Sequence, residues 1–262
     1  MGKVVVITAA VLCILPLYFL AIGSVTTEGA FLQMPPTLWP QEITFDNYRQ
    51  FPGIGHWAGN TLVVGVCGII GIVGVSCATG YVFAFHSFPL KRILWPLMLA
   101  GMMVPRLALM IPKYSVMMKL GLIDTRAGLI LSEMLYPATV YMARTFFETV
   151  PQAIRDAAKI DGAGEVGILA RIVIPMSKPL IACVIVFAGV MAISDYVWQA
   201  QVLQTPGKQT LIVGLMQSIG QGPGGSIGQE LAAGVLMSIP MLAVFLVSSR
   251  FFIKGLGGAV KE

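Results

Sequence analysis

The sequence predicts an all-α membrane protein with six transmembrane helices and both termini on the cytoplasmic side. Three observations carry that expectation. Of 262 residues, 56% are apolar and 11% charged, against about a quarter charged in an ordinary soluble domain. The apolar residues gather into six stretches near the ~20 residues that a bilayer core demands. The basic residues between those stretches are divided unequally between the two sides, as membrane topology requires.

The stretches run Val4–Gly23, Thr61–Phe83, Ile93–Ile111, Leu129–Phe146, Pro179–Trp198 and Leu231–Ile253. With cytoplasmic termini, Lys3, Lys91, Arg92, Arg144, Arg155, Lys159, Arg171, Lys178, Arg250, Lys254 and Lys261 lie inside, eleven of the seventeen Lys and Arg. Arg49, Arg106, Lys113, Lys119, Arg126 and Lys208 lie outside. This bias sets the orientation, and it accounts for the net charge of +5 without a nucleic-acid partner, because the cations form no continuous patch. The chain 1–262 reads as one transmembrane domain. Residues 1–60 hold the first span and an extracytoplasmic loop, 61–253 a five-helix core including a cytoplasmic loop at 148–178, and 254–262 a cytoplasmic tail.

The first stretch follows Lys3 and ends on the small residues 21–24, so a cleaved leader is one reading. Its length exceeds the apolar run of a typical leader and favours a retained span, kinked at Pro16. From Thr26 to Trp57 the chain is polar and holds Pro35, Pro36, Pro40 and Pro52, an outer loop of extended and short helical pieces. The second stretch carries Gly65, Gly68, Gly71 and Gly74, with Ser76 and Gly80 beyond. Small residues at that spacing let helices approach closely, so this helix is expected at the centre of the bundle. Cys13, Cys67, Cys77 and Cys183 lie inside apolar stretches without the close pairing of a metal or redox motif, which marks them as small core residues. His86 reads as an interfacial residue in preference to a ligand or proton relay, and His56 lies on the opposite side.

The cytoplasmic loop from Arg155 to Pro179 concentrates charge between two apolar stretches. Asp161-Gly162 breaks it into two short helices, since glycine accepts positive φ. In the first, Ile154, Ala157, Ala158 and Asp161 share a face, and its alanines suit docking into a groove; Arg155, Asp156 and Lys159 cover the remaining surface. In the second, Ile168, Leu169, Ile172 and Val173 form the apolar stripe. Glu165 in its first turn and Arg171 in its last both match the helix dipole. Pro175 should stop that helix and Pro179 begin the next span.

The fifth stretch ends in Ser194, Asp195, Tyr196, Trp198 and Gln199. A helix from Pro179 rises roughly 24 Å by Asp195, which puts a carboxylate in the outer part of the membrane, where it needs a partner or water. Carboxylate, amide and aromatic groups can bind a sugar, by hydrogen bonds to hydroxyls and a ring face over its C–H side. Tyr and Trp also make an ordinary interfacial belt. Glu133 and Tyr136, at the start of the fourth stretch, read as interfacial anchors in preference to pathway residues. The Gly- and Gln-rich loop from Gln201 to Gly228 suggests mobility. Within it, Pro206-Gly207-Lys208-Gln209-Thr210 hints at a phosphate loop, but Val202 and Gln209 stand where that motif needs Gly and Ser or Thr. Without a phosphate loop the chain cannot harvest ATP itself. No catalytic residue or metal ligand set is assigned.

The order Ala157-Ala158, then Asp161-Gly162-Ala163, then an Ile/Val-rich run closing on Pro175 and Pro179 resembles the EAA loop of the membrane subunits of bacterial ABC importers, most closely the carbohydrate branch. Thr44 to Tyr48 with Asn60-Thr61, Ser194-Asp195-Tyr196, and the terminal Gly255-Leu256 and Gly258-Ala259-Val260-Lys261 resemble the same branch. Asn60 alone reads equally as a helix cap.

The resemblance implies a type I importer fold in the bacterial inner membrane, taking up a sugar or oligosaccharide. It implies that the loop 152–178 couples to ATPase closure through Asp156, Ala157, Ala158, Lys159, Asp161, Gly162, Ala163 and Glu165. Asp156 stands where the family usually has glutamate, one methylene longer. The implied partners are a second, homologous permease, two ATPase subunits holding ATP and Mg, and an extracytoplasmic solute-binding protein. The implied substrate pathway includes Ser194, Asp195, Tyr196, Trp198 and Gln199.

The alternative class is a self-sufficient ion-coupled carrier. It should show paired broken helices and ionisable groups near the midplane; the chain has no repeat between its halves and no carboxylate or Lys in the midplane stretches. An embedded enzyme would need a catalytic pair on one side, and the sequence offers none.

Overall fold

The computed structural model describes residues 2–27, 39–40, 42–219 and 226–259, with side chains described up to residue 249. The expectations on Pro35, Pro36 and Val260-Lys261 fall outside those residues, as do residues 220–225 of the outer loop. The described chain is helical, and its only β pairing is an isolated bridge between Thr26 and Ile43.

The helices are α1 (Gly2–Ser24), α2 (Asp46–Arg49), α3 (Ile54–Phe85), α4 (Lys91–Met103), α5 (Met110–Lys119), α6 (Arg126–Glu133) and α7 (Pro137–Phe147). They continue as α8 (Gln152–Ile160), α9 (Glu165–Ile168), α10 (Lys178–Ser194), α11 (Tyr196–Val202), α12 (Leu211–Ser218) and α13 (Ile227–Ala259). Among the described residues three helices are long and apolar enough to cross a membrane, or up to five if each of two bent pairs is one span.

Proline accounts for two of the departures from six unbroken stretches. The third stretch breaks at Val104-Pro105, between α4 and a 3-10 turn at Arg106–Leu109, and the chain turns by 109°. Proline offers no N–H and forces its predecessor extended, and Val104 has ψ 123°. The fourth stretch breaks in the same way before Pro137, where Tyr136 is extended. In the fifth stretch α10 ends at Ser194, and Asp195 leaves the helical region with ψ 84°. In the second stretch the helix starts at Ile54, seven residues before the predicted boundary.

Helix α3 is central, and its glycine face is the reason. A Cβ on Gly80 would lie 2.6 Å from Ala143 Cβ and 3.0 Å from the Arg144 amide nitrogen of α7. At Gly68 it would meet Ala192 of α10 at 3.2 Å. At Gly74 it would meet nothing within 4 Å, so that glycine lies outside the packed face. Ser76 and Thr139 add a 2.6 Å hydroxyl–hydroxyl hydrogen bond between α3 and α7, both side chains fully buried.

Three apolar clusters hold the bundle. Tyr81, Phe147, Ile168, Val173 and Val184 join α3, α7 and α10 to the Asp161-Gly162 loop. At the far end, Trp57 packs against Leu211 and Leu215; it fits only because residue 214 is glycine, whose Cβ would come within 2.1 Å of the indole. A third cluster gathers Val64, Met117, Leu129 and Trp198. Of the four cysteines only Cys77 is buried; Cys13 and Cys67 are exposed and Cys183 is half-buried. Helix α1 lies at the periphery, most of its length exposed. It is tied down where Asn47 Nδ2 donates to the carbonyls of Ser24 and Thr26, at 2.9 and 3.2 Å.

The described first part of the far-end loop, residues 203–210, is held by hydrogen bonds to α3 and to Asp124. Asn60 is not a cap: it sits inside α3 and donates from Nδ2 to the carbonyls of Gly207 and Gln209, at 3.0 and 2.7 Å. Thr61 Oγ1 accepts from the Leu211 amide at 2.7 Å. Asp124, at φ 57°, accepts at one carboxylate oxygen from the amides of Gln204 and Thr205 and at the other from Thr205 Oγ1 and Lys208 Nζ. Led by the Lys208 hydrogen bond, these contacts hold its carboxyl well below the usual range.

Two outcomes follow. Gly80→Ala should cost about 1–3 kcal/mol through overpacking, whereas Gly74→Ala should be neutral or stabilising by up to about 1 kcal/mol, read from thermal unfolding of the purified chain in detergent. Asp124→Asn keeps the left-handed backbone but loses the charge, and should destabilise by about 1–3 kcal/mol at neutral pH. Because the folded carboxyl is depressed, its contribution is full above its unfolded value and fades as pH falls through the acid range. The gap between variant and parent should therefore shrink below about pH 4.

Candidate functional site: an inter-helix loop and a charged cluster

The hinge between α8 and α9 forms where the sequence places it. Gly162 has φ +83°, and its amide and that of Ala163 donate back to the carbonyls of Lys159 and Ala158 at 3.0 and 2.9 Å. The second helix does not stop at Pro175. From Leu169 to Val173 the backbone widens into a π turn, in which the Ile174 amide donates to the Leu169 carbonyl, and it continues helical through Met176. In an α-helix the Pro175 ring would strike the Arg171 carbonyl; widening the turn avoids that clash. The chain then bends by 89° into α10.

The loop has an inward and an outward side, and the face predicted on α8 is divided between them. Ala158 is buried against the bundle, whereas Ile154, Ala157 and Asp161 are exposed. Ile160 and Val166 are 86% and 81% exposed, a large apolar exposure for so short a segment. Asp156 and Gly162 are exposed as well. Ala163 packs partly against the inner cluster.

Glu165 joins the loop to α3. Its Oε2 accepts from Tyr81 Oη at 2.6 Å, and its Oε1 lies 2.8 Å from Lys159 Nζ. His86 Nε2 is 3.6 Å from the same carboxylate. Hydrogen bonds from Lys159 and Tyr81 hold the Glu165 carboxyl below its ordinary range. Beside it the Arg155 guanidinium lies 3.6 Å from the centre of the Phe85 ring, a cation–π contact. His86 is thus part of this junction. Sequence reading missed Tyr81, which falls 84 positions from Glu165; its only signal was a phenol near the end of an apolar stretch.

At the opposite end the charges also converge. One Arg106 guanidinium nitrogen, Nη2, lies 2.8 Å from Glu133 Oε2 and 2.8 Å from Asp195 Oδ2. Lys113 pairs with the other oxygen of Glu133, and its ammonium sits 4.1 Å from the Trp198 ring centre. Tyr136 lies near Arg106 and against Phe187. Glu133 is therefore an ion-pair partner shared by two cations, its side chain 11% exposed. Two cations and two carboxylates balance within the cluster.

The five residues predicted for a pathway divide. Gln199 is 1% exposed and fully engaged: its Nε2 donates to the Ala192 carbonyl at 3.0 Å and its Oε1 accepts from Thr210 Oγ1 at 2.5 Å. Trp198 is buried and donates from Nε1 to Ser132 Oγ at 3.0 Å. Asp195 also caps α11, accepting from the Trp198 amide at 3.2 Å. Ser194 and Tyr196 keep accessible side chains, with Ser194 Oγ 3.6 Å from Met241 Sδ.

Comparisons with known proteins agree with this architecture. The chain is 27% identical over 266 residues to the sn-glycerol-3-phosphate transport system permease protein of Brucella suis biovar 1 (strain 1330), covering 97% of this chain and 94% of the relative. It is 30% identical over 260 residues to the arabinooligosaccharides transport system permease protein of Halalkalibacterium halodurans, covering 96% and 92%. Among solved structures, a bacterial ABC transporter involved in the import of the acidic polysaccharide alginate shares the fold, with TM-score 0.81 at 23% identity over 96% of this chain and 95% of that one. Residues 70–260 match the family described as binding-protein-dependent transport system inner membrane component. With helical spans, a hinged amphipathic loop and that match over most of its length, the chain belongs to this family of inner-membrane transport components.

Proposed function

We propose that the chain is one permease subunit of a sugar importer, driven by separate ATPase subunits whose motion enters through the loop 152–178. The observation that carries this reading is the two-sided loop. Its outward side offers Ile154, Ala157, Ile160 and Val166 to a partner, while Ala158, Glu165, Ile168 and Val173 bind it to the bundle. A push on the outward side is delivered to α3 through Glu165 and Tyr81, and to α7 and α10 through the apolar cluster. Taking each bent pair as one crossing, and α6 with α7 as another, gives six crossings, and the bias of the basic residues puts both termini on the cytoplasmic side.

The far end of α10 carries the break at Asp195 and its link to Arg106, which we assign to the gate of the substrate path. A partly exposed cluster of this kind would be unfavourable against lipid, which supports a water-filled path or a partner permease beside it. Arg106 and Lys113 are already matched by Glu133 and Asp195, so the cluster has no spare cation. ATP and Mg belong to the ATPase subunits, and a solute-binding protein delivers the substrate on the outer side.

Asp156→Lys and Gly162→Pro should leave the chain in the membrane yet abolish uptake and co-purification of the ATPase; uptake at the parental rate would exclude coupling through this loop. Asp195→Asn should lower sugar uptake in proteoliposomes on the order of tenfold, by removing one charge-assisted hydrogen bond from Arg106, at unchanged protein insertion. Parental uptake by that variant would remove the cluster from the transport cycle.

A further inference from the structure

Beside the start of α4, at the same end as the hinged loop, a cavity of about 720 Å³ opens between the 86–90 turn and α7. Three cations line it, Lys91, Arg92 and Arg144, with Ser87, Phe88 and Trp95. Arg144 is held in place: its guanidinium lies 3.9 Å from the Trp95 ring centre, and its Nε is 2.8 Å from Glu148 Oε1. Trp95 is itself stacked on Tyr141, with ring centres 6.0 Å apart. Lys91 Nζ donates to the His86 carbonyl at 2.9 Å, which leaves ammonium protons to give. Among the described residues neither Lys91 nor Arg92 has an acidic partner within ion-pair distance. The cavity therefore carries a surplus of positive charge, unlike the balanced cluster at the far end.

The surface that continues from the cavity along α4 is apolar. Leu90, Ile93 and Leu97 are each more than half exposed, and Leu94 is exposed as well. A cationic recess above an exposed hydrocarbon stripe, at the end of a membrane helix, matches an amphiphile with a phosphate head and acyl chains. A soluble anion would use the recess and leave the stripe idle.

We propose that this cavity seats the phosphodiester of an anionic membrane lipid, with its acyl chains along Ile93 and Leu97. Lys91 and Arg92 supply the charge, and Arg144, fixed on Trp95, supplies a directed donor. The test is native mass spectrometry of the full chain with phosphatidylglycerol and phosphatidylcholine of identical acyl chains. The parent should retain phosphatidylglycerol in preference, and Lys91→Gln with Arg92→Gln should lower that preference on the order of tenfold. Lys119→Gln with Arg126→Gln, at the opposite end, should leave it unchanged.

Equal retention of both lipids by the parent, or equal loss in the two double variants, would overturn the proposal. So would release of the lipid by millimolar inorganic phosphate, which would mark a free-anion site. A 91/92 double variant that keeps the lipid preference but loses a protein partner would assign the cations to that partner instead.

Discussion

The close approach of α3 to its neighbours underlies the rest of the structure. In a bilayer, packing of small residues replaces the hydrophobic drive between helices, and α3 presents Gly80 to Ala143 at a distance that no larger side chain would permit and Gly68 to Ala192 at one that a methyl group would crowd. With the backbones so near, the Ser76–Thr139 hydroxyl pair closes between α3 and α7. The same approach brings Tyr81, one residue beyond Gly80, to Glu165 of the loop. Were α3 pushed outward by a methyl group, the pairing of Tyr81 with Glu165 would be among the first contacts stretched.

Polar groups then sit at the two ends of this packed column, and they differ in kind. At the hinged loop, Glu165 gathers Tyr81, Lys159 and His86 around a single carboxylate, so the loop and α3 form one mechanical unit. At the far end, Arg106 bridges Glu133 and Asp195 across three separate chain segments. All of those segments are broken nearby, at Val104-Pro105, at Tyr136-Pro137 and at Asp195. Broken backbone beside a charge-balanced cluster is structure that can rearrange without unfolding a continuous helix.

Much of the hinged loop was legible because its signals are local. Gly162 has positive φ and Ile168 and Val173 are buried, as the breaker and the apolar stripe required. Pro175 misled, because a proline stops an α-helix but not one that widens by a residue first. Ala158 and Ala157 looked alike in sequence and took opposite sides, since a short helix can roll until a neighbour decides its inward face. At the far end, Asp195 was recognisable as a carboxylate in need of a partner, but Arg106, 89 positions away, appeared only as a topology marker. Asn60 looked like a cap, yet the helix that contains it starts earlier and its amide is spent on the 207–209 turn.

The sequence by itself determined that the chain lives in a membrane, where its apolar stretches lie, where glycine and proline bend it, and which loop carries unusual charge. These follow from composition, period and backbone stereochemistry, which act over a few residues. Only the tertiary structure decided which charges meet, which glycines are in contact and which loop residues face outward. Those outcomes depend on how helices distant in sequence are brought within a few ångströms, and no local pattern encodes that distance.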